Sequence, residues 1–240
     1  LDSGSWTAAT SPLALSSLSQ GSHTIQVRAT DAAGNTDGSP ASASWMVDTV
    51  APEIPSLSSP TTGTNSDDTT PTFSWGAVSG ASLYVLQVDD DSNFNSASAW
   101  GISTASFTTP NLSDVTYYWR VMAVDEANNT SEYSSTWTYV IDTVAPTTTI
   151  TSAPSGNVSS TSAAISFTSN ESGVTFQRKL DSGSWTNATS PLSLTGLSQG
   201  THTIQVRATD AAGNLDASPD SASWTVDTAA PNTTITSAPS

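Results

Sequence analysis

The chain has 240 residues, 35% hydrophobic and 11% charged, and its formal charge of −16 comes from 21 acids against five bases. Such a surface repels nucleic acid and anionic membranes, because phosphate recognition needs clustered Lys and Arg, whereas it suits cations. Cysteine is absent, which excludes disulfides and thiolate metal centres, and no apolar run approaches the roughly 18 residues of a membrane span.

Residues 1–49 repeat residues 180–228 without a gap and differ at nine of 49 positions: 8, 14, 16, 17, 22, 36, 38, 41 and 46. Leu1 therefore corresponds to Leu180, in the middle of a repeat. This opening unit reads as the second half of a domain, with a sheet face exposed and an edge unpaired. Residues 21–27 alternate apolar and polar, which is the period of a half-buried strand. The Asp31-Ala-Ala-Gly-Asn35 that follows is a turn, since Asp caps its own backbone and Gly supplies positive φ.

Val47-Asp-Thr-Val-Ala-Pro52, Ile141-Asp-Thr-Val-Ala-Pro146 and Val226-Asp-Thr-Ala-Ala-Pro231 are linkers, each closing a strand and ending in a proline that cannot donate to a ladder. They set the expected boundaries: half a domain at 1–49, complete domains at 50–142 and 143–228, and the opening of another at 229–240.

The second unit predicts strands at 70–76, 82–89, 97–103, 105–109, 116–125 and 134–141, with an edge segment near 55–58. The third predicts strands at 147–152, 162–169, 174–180, 183–186, 192–197, 202–209 and 222–226. Seven short strands with turns every eight to twelve residues are the pattern of an antiparallel β-sandwich. Residues 230–240 repeat 145–155 with one change and should begin a further first strand. The fold class is all-β: tandem antiparallel sandwiches in a rod-like array, with stiff linkers. Arg28, Arg120, Arg178, Lys179 and Arg207, the whole set of bases, are all expected within strands.

Leu-Asp-Ser-Gly-Ser-Trp, Thr-Ser-Pro-Leu, Gly-x-His-Thr-Ile-Gln-Val-Arg-Ala-Thr-Asp-Ala-Ala-Gly-Asn and Trp-x-Val-Asp-Thr make units one and three resemble the bacterial Ig-like repeats of large surface proteins. Tyr117-Tyr-Trp-Arg-Val-Met-Ala-Val-Asp125 makes unit two resemble bacterial fibronectin type III-like modules. The resemblance is specific for fold and weak for ligand. It also marks a departure, for Arg178 and Ala188 stand where relatives of units one and three often carry a cysteine pair.

His23 and His202 occupy the same repeat position, five residues after Leu18 and Leu197, as Tyr117 follows Leu112. That is the tyrosine-corner position, whose polar tip bonds upstream backbone. Trp45, Trp75, Trp119, Trp137 and Trp224 read as core. Trp6, Trp100 and Trp185 lie at second-sheet edges, where an exposed ring could stack on a sugar but packing against the sandwich rim is favoured.

Strand polarity gathers acids at the linkers. Asp142, Glu171 and Asp210 come together at the second, with Asp67, Asp68, Asp89, Asp90, Asp91 and Asp216 near them. At the first, Asp48 meets Asp125 and Glu126, with Asp2 and Glu53. Oxygen donors from several loops are what Ca²⁺ takes, so Asp48, Asp125, Glu126, Asp142, Glu171 and Asp210 are the candidate calcium ligands. Read singly, each Asp caps its own turn. No catalytic or cofactor-binding residues are expected. The functional expectation is a stalk or spacer of a secreted or surface-displayed bacterial adhesin or extracellular fibre, not an enzyme. Its partners would be neighbouring repeats and other fibre subunits. The alternatives are a spacer or carbohydrate-binding module of an extracellular glycan-degrading enzyme, or a decoration domain of a phage or filament.

Overall fold

The computed structural model describes residues 1–237, in which every regular element is a strand. In chain order the first are β1 (Gly21–Val27), β2 (Ala41–Val47), β3 (Leu57–Ser59), β4 (Thr64–Ser66), β5 (Thr72–Trp75) and β6 (Ala81–Asp89). Then come β7 (Ser98–Ile102), β8 (Ser106–Thr108), β9 (Thr116–Asp125), β10 (Trp137–Ile141), β11 (Thr148–Ser152) and β12 (Gly156–Val158). The last are β13 (Ala163–Ser169), β14 (Thr175–Leu180), β15 (Thr186–Ala188), β16 (Leu192–Leu194), β17 (Gly200–Thr209) and β18 (Asp220–Val226).

Two compact units are formed, one of residues 1–59, 72–107 and 118–137, the other of 60–71, 108–117 and the chain from Thr138 on. In the first, β1 and β2 form an antiparallel pair with His23 opposite Trp45. β3 lies on β5, and β6 runs between β7 and β9, so that Leu86 faces Trp100 on one side and Val121 on the other. The alternation along β6 and β9 turns Tyr84, Leu86, Val88, Trp119, Val121 and Ala123 inward, where they are buried with Phe73 and Trp75. The rings of Phe73 and Trp119 stand 4.7 Å apart, and Trp137 meets Trp119 edge-on at 5.7 Å.

In the second unit the sheet β11-β13-β16 is faced by the sheet β12-β18-β17-β14-β15. Ile165 and Phe167 from one sheet pack with Ile204, Val206, Trp224 and Val226 from the other in a single buried cluster. Burying each such side chain stabilises by about 1.5–3 kcal/mol.

The expected strands form, with instructive differences. Two short strands were not anticipated. β4 pairs parallel with β10, and β12 pairs parallel with β18. In each case the chain leaves an antiparallel edge at a proline, Pro60 or Pro154, and turns through a positive-φ glycine, Gly63 or Gly156. Three polar residues show no readable period, so the proline and glycine are the signals that could have found them.

The strand expected at 183–186 begins later, at Thr186. Asp181 adopts φ 51° and Gly183 N–H closes a turn on the Leu180 carbonyl at 2.9 Å, so 181–185 is a corner. Residues 229–237 form no strand, and Ile235 is 86% exposed. A first strand needs the counterpart of β13 to pair with, and the segment contains none; residues 238–240 lie outside the described chain.

Residues 1–49 carry the exposed face expected of them. Val27 is 56% exposed where its counterpart Val206 is fully buried. Trp45 is only half-buried, because residues 1–49 include no counterparts of Ile165 and Phe167, and Trp137 is also half-buried rather than core. Arg28 also departs from expectation: it lies one residue beyond β1 and is exposed, whereas Arg120, Arg178, Lys179 and Arg207 are within strands. Limited trypsin digestion of the folded chain should therefore cut first after Arg28. Mass spectrometry should find a product starting at Ala29 before any fragment ending at Arg120 or Arg207; early cuts at those two would contradict β9 and β17.

Candidate functional site

The Asp-x-x-x-Asn turn after each long strand builds the first part of the site. Asp210 Oδ1 accepts from the backbone N–H groups of Gly213 at 2.7 Å and Asn214 at 2.8 Å, and Oδ2 accepts from Asn214 Nδ2 at 2.8 Å. Asp125 treats Asn129 in the same way, at 2.8 Å and 2.9 Å, as Asp31 does Asn35. The aspartate thus fixes the asparagine rotamer and aims its remaining Nδ2 hydrogen. In two of the three copies that hydrogen reaches a linker carbonyl. Asn129 donates to Asp48 O at 3.1 Å, and Asn214 donates to Asp142 O at 2.7 Å.

Asp142, Glu171 and Asp210, all half-buried, each place a carboxylate oxygen within 4.8 Å of the other two. Burial raises the Glu171 carboxyl above its ordinary value, and the neighbouring Asp142 and Asp210 charges add to the rise. Burial also pushes Asp210 upward, but the hydrogen bonds from Asn214 and Gly213 outweigh it and hold the group low. The charges of its two neighbours thus oppose ionisation of Glu171, and a cation among the three would relieve that opposition.

The expected grouping at the first linker does not form among the described residues. Asp48, Asp125 and Glu126 are not part of any group of three in ligand range. Asp48 is turned aside by Gln20, whose Nε2 donates to it at 2.7 Å, whereas the bond it accepts from Val50 N–H is matched by that of Asp142 with Val144. Asp125 is absorbed by Asn129, and Glu126 is exposed. The place of Glu171, in the turn after β13, corresponds to Gly76-Ala-Val-Ser-Gly80 after β5, which holds no acid. At the second linker the glutamine is replaced by Asp114, which holds Thr143 and leaves Asp142 to face the cluster. Other acids expected nearby are used locally. Asp89 caps Ser96, Asp91 binds Asn93 and Asn95, and Asp68 caps Thr70. Asp216 is buried against Thr148 and Ser218.

Residues 52–143 match the bacterial Ig-like domain family. This is the segment whose 117–125 motif resembles fibronectin type III-like modules. Such Ig-like domains typically occur in extracellular or surface proteins of bacteria. Fibronectin(III)-like modules of CbhA from Clostridium thermocellum are similar at TM-score 0.46 and 18% identity, over 72% of this chain and 93% of theirs. The FN1-FN3 domains of chicken CNTN1 are similar at TM-score 0.43 and 16% identity, over 85% of this chain and 77% of theirs. No curated protein matches the chain.

The Ig-like segment and its flanking repeats share one corner. In the Ig-like segment Ser113 N–H donates to the Tyr117 hydroxyl at 3.2 Å. In the repeats His23 Nε2 lies 2.7 Å from the Ser19 carbonyl, and His202 Nε2 lies 2.9 Å from that of Ser198. All three reach backbone upstream, as expected of this corner, and each spans four residues. What the sequence did not show is that each histidine also meets a carboxylate, Asp2 or Asp181. The edge tryptophans are occupied as well. Arg28 stacks on Trp6 and Arg207 on Trp185, each at 4.1 Å from the ring centre, while Trp100 packs on Phe107 at 5.2 Å.

Proposed function

We propose that the chain is a structural spacer, a segment of the stalk of a secreted or surface-displayed bacterial adhesin or extracellular fibre that holds terminal regions away from the cell. The observation that carries this reading is the repeated asparagine clamp. The same Asp-x-x-x-Asn turn seizes the linker carbonyl at Asp48 and again at Asp142, a device that restrains the chain between successive repeats and has no counterpart in substrate chemistry. Proline at the end of each linker adds stiffness. The partners are neighbouring repeats of the same chain and other subunits of a fibre.

Within this reading Asp142, Glu171 and Asp210 hold a calcium ion. Carboxylate oxygens from three separate loops are the donors a hard cation takes, with water completing its six to eight ligands. Extracellular calcium modules bind at roughly 10⁻⁴–10⁻³ M, and occupancy at a hundred times the Kd stabilises by about 2.7 kcal/mol.

One pair of measurements tests both parts: thermal unfolding, and the maximum dimension by small-angle scattering, in millimolar calcium and in EDTA. The wild-type chain should melt higher and extend further with calcium. Glu171→Gln should melt higher than wild type in EDTA, because it removes the carboxyl that its neighbours' charges oppose, and should lose most of the calcium response. Asn129→Ala with Asn214→Ala should shorten the maximum dimension in both buffers without unfolding the sandwiches. Identical wild-type behaviour with and without calcium would remove the ion, and an unchanged dimension in the double variant would remove the clamp and with it the spacer argument.

A further inference from the structure

We propose that His202 stands as an imidazolium in the folded protein at neutral pH, locked between the Ser198 carbonyl and the Asp181 carboxylate, and that this pair is a latch which opens as pH rises. The inference rests on the fold of this repeat and does not depend on the spacer reading.

The argument is one of donors and acceptors. A carbonyl oxygen only accepts, so Nε2, 2.9 Å from Ser198 O, carries a hydrogen. Nδ1 lies 2.8 Å from Asp181 Oδ2, while Oδ1 of the same carboxylate accepts from Thr203 N–H at 2.8 Å. A carboxylate placed to accept from a backbone amide is held in its ionised form, and an ionised carboxylate also only accepts. Both ring nitrogens therefore donate, which a neutral imidazole cannot do. The side chain is 8% exposed, so neither bond is readily exchanged for one to water.

Among the described residues, Asp181 is the charge that acts on the ring. The end of β14 presents Asp181, the loop before β17 presents the Ser198 carbonyl, and β18 presents the Trp224 ring at 6.1 Å, which does not titrate. Asp227, at the end of β18, is bonded to Gln199 and Ala229, and Arg207, further along β17, is stacked on Trp185. The Ser198 bond and then Asp181 raise the imidazole above its ordinary value against an opposing effect of burial, and Asp181 is the charge acting on it. Burial raises Asp181, but the bonds from Thr203 and His202 outweigh it and hold that group low.

The repeats supply an internal control. Residues 1–49 rebuild the pair, with His23 at 3.0 Å from Asp2 and 2.7 Å from Ser19 O. The Ig-like segment places Tyr117 at the same corner, anchored to Ser113, with a hydroxyl in place of the imidazole.

What the pair holds is the turn that opens the corner at 181–185. Asp181, at φ 51°, also donates its N–H to Thr203 O at 2.8 Å. Loss of the proton sets an imidazole lone pair against a carboxylate oxygen and weakens the attachment of this turn to β17. A raised imidazole stabilises fully below about pH 6.5 and its contribution is lost as pH rises through the folded value. The lowered Asp181 contributes above about pH 4 and is lost as pH falls through its own folded value. The latch is therefore closed between these limits and opens on the alkaline side.

The test is nitrogen-detected NMR on the whole chain, with the His202 ring assigned by comparison with His202→Tyr, alongside hydrogen-exchange protection of the Thr203 amide. Both ring nitrogens of His202 should be protonated at pH 7, with a midpoint above that of free histidine, and Asp181→Asn should lower the midpoint. Thr203 protection should fall several-fold between pH 6 and pH 9. His202→Tyr should fold, since Tyr117 serves the same corner, and should abolish that fall. A neutral ring at pH 7 would overturn the protonation assignment, and protection that is independent of pH, or equally dependent in His202→Tyr, would overturn the latch.

Discussion

Trp224→Ala should destabilise the sandwich formed by residues 143–228 by about 3–5 kcal/mol, the range for removing a fully buried aromatic side chain, and Trp45→Ala should cost a small fraction of that. The two tryptophans occupy equivalent positions in repeats that differ at nine of 49 residues. Each sits opposite a histidine in the same register, His202 for Trp224 and His23 for Trp45. Their local sequence and strand pairing are thus matched. Their surroundings are not. Trp224 is 2% exposed and packs in one cluster with Ile165 and Phe167 of the facing sheet, whereas Trp45 is half-buried with no such sheet among residues 1–49. Domains of this size have net stabilities of about 5–15 kcal/mol, so losing 3–5 brings Trp224→Ala close to unfolding at room temperature. Denaturant unfolding of the two variants measures the contrast. Equal losses would mean that propensity and pairing within the β17–β18 hairpin, rather than burial between sheets, stabilise this fold.

That contrast also marks how far residues alone lead. β9 falls where alternation puts it, and β6, β11, β13 and β14 begin within a residue of expectation, because five or more residues of period two leave little choice of face. β4 and β12 were hidden for the opposite reason: each has three residues, and its parallel partner is distant in sequence. The grouping of Asp142, Glu171 and Asp210 was legible because strand polarity decides which turns share a pole. The failure of Asp48, Asp125 and Glu126 to do the same was not, since it depends on side-chain bonds that hold Asp48 and Asp125 to Gln20 and Asn129. The carboxylate beside each corner histidine was hidden too. It comes from 21 residues away and reaches the ring through a left-handed aspartate, a conformation that sequence pattern does not reveal.

Asp216→Ala should be the second costly change, at about 2–4 kcal/mol, and Asp37→Ala its milder partner, at about 1 kcal/mol. Both aspartates cap the residue two places on through N–H and hydroxyl, Asp216 on Ser218 at 2.9 and 3.1 Å and Asp37 on Ser39 at the same two distances. Asp216 does one thing more. Its Oδ2 accepts from Thr148 N–H at 2.9 Å, fastening the start of β11 to the turn before β18, and the residue is 2% exposed. Alanine there leaves the Thr148 amide buried without its acceptor, a penalty of about 1–3 kcal/mol, in addition to the lost cap of about 1 kcal/mol. Asp37 is exposed and stands to lose the cap alone. The difference between the two losses therefore isolates the bond to β11. It should also carry a pH signature. Burial raises the Asp216 carboxyl, but the bonds from Thr148 and Ser218 outweigh it and hold the group below its ordinary value. A lowered acid contributes stability above its unfolded value of about 3.9 and loses it as pH falls through the folded value, so the gap between wild type and Asp216→Ala should be full at pH 6 and should narrow in strong acid. Urea unfolding at pH 6 and pH 3 reads both quantities. A cost for Asp216→Ala no larger than that for Asp37→Ala would show that β11 is held by its ladder to β13 and by apolar packing, with the buried carboxylate contributing no more than a turn cap.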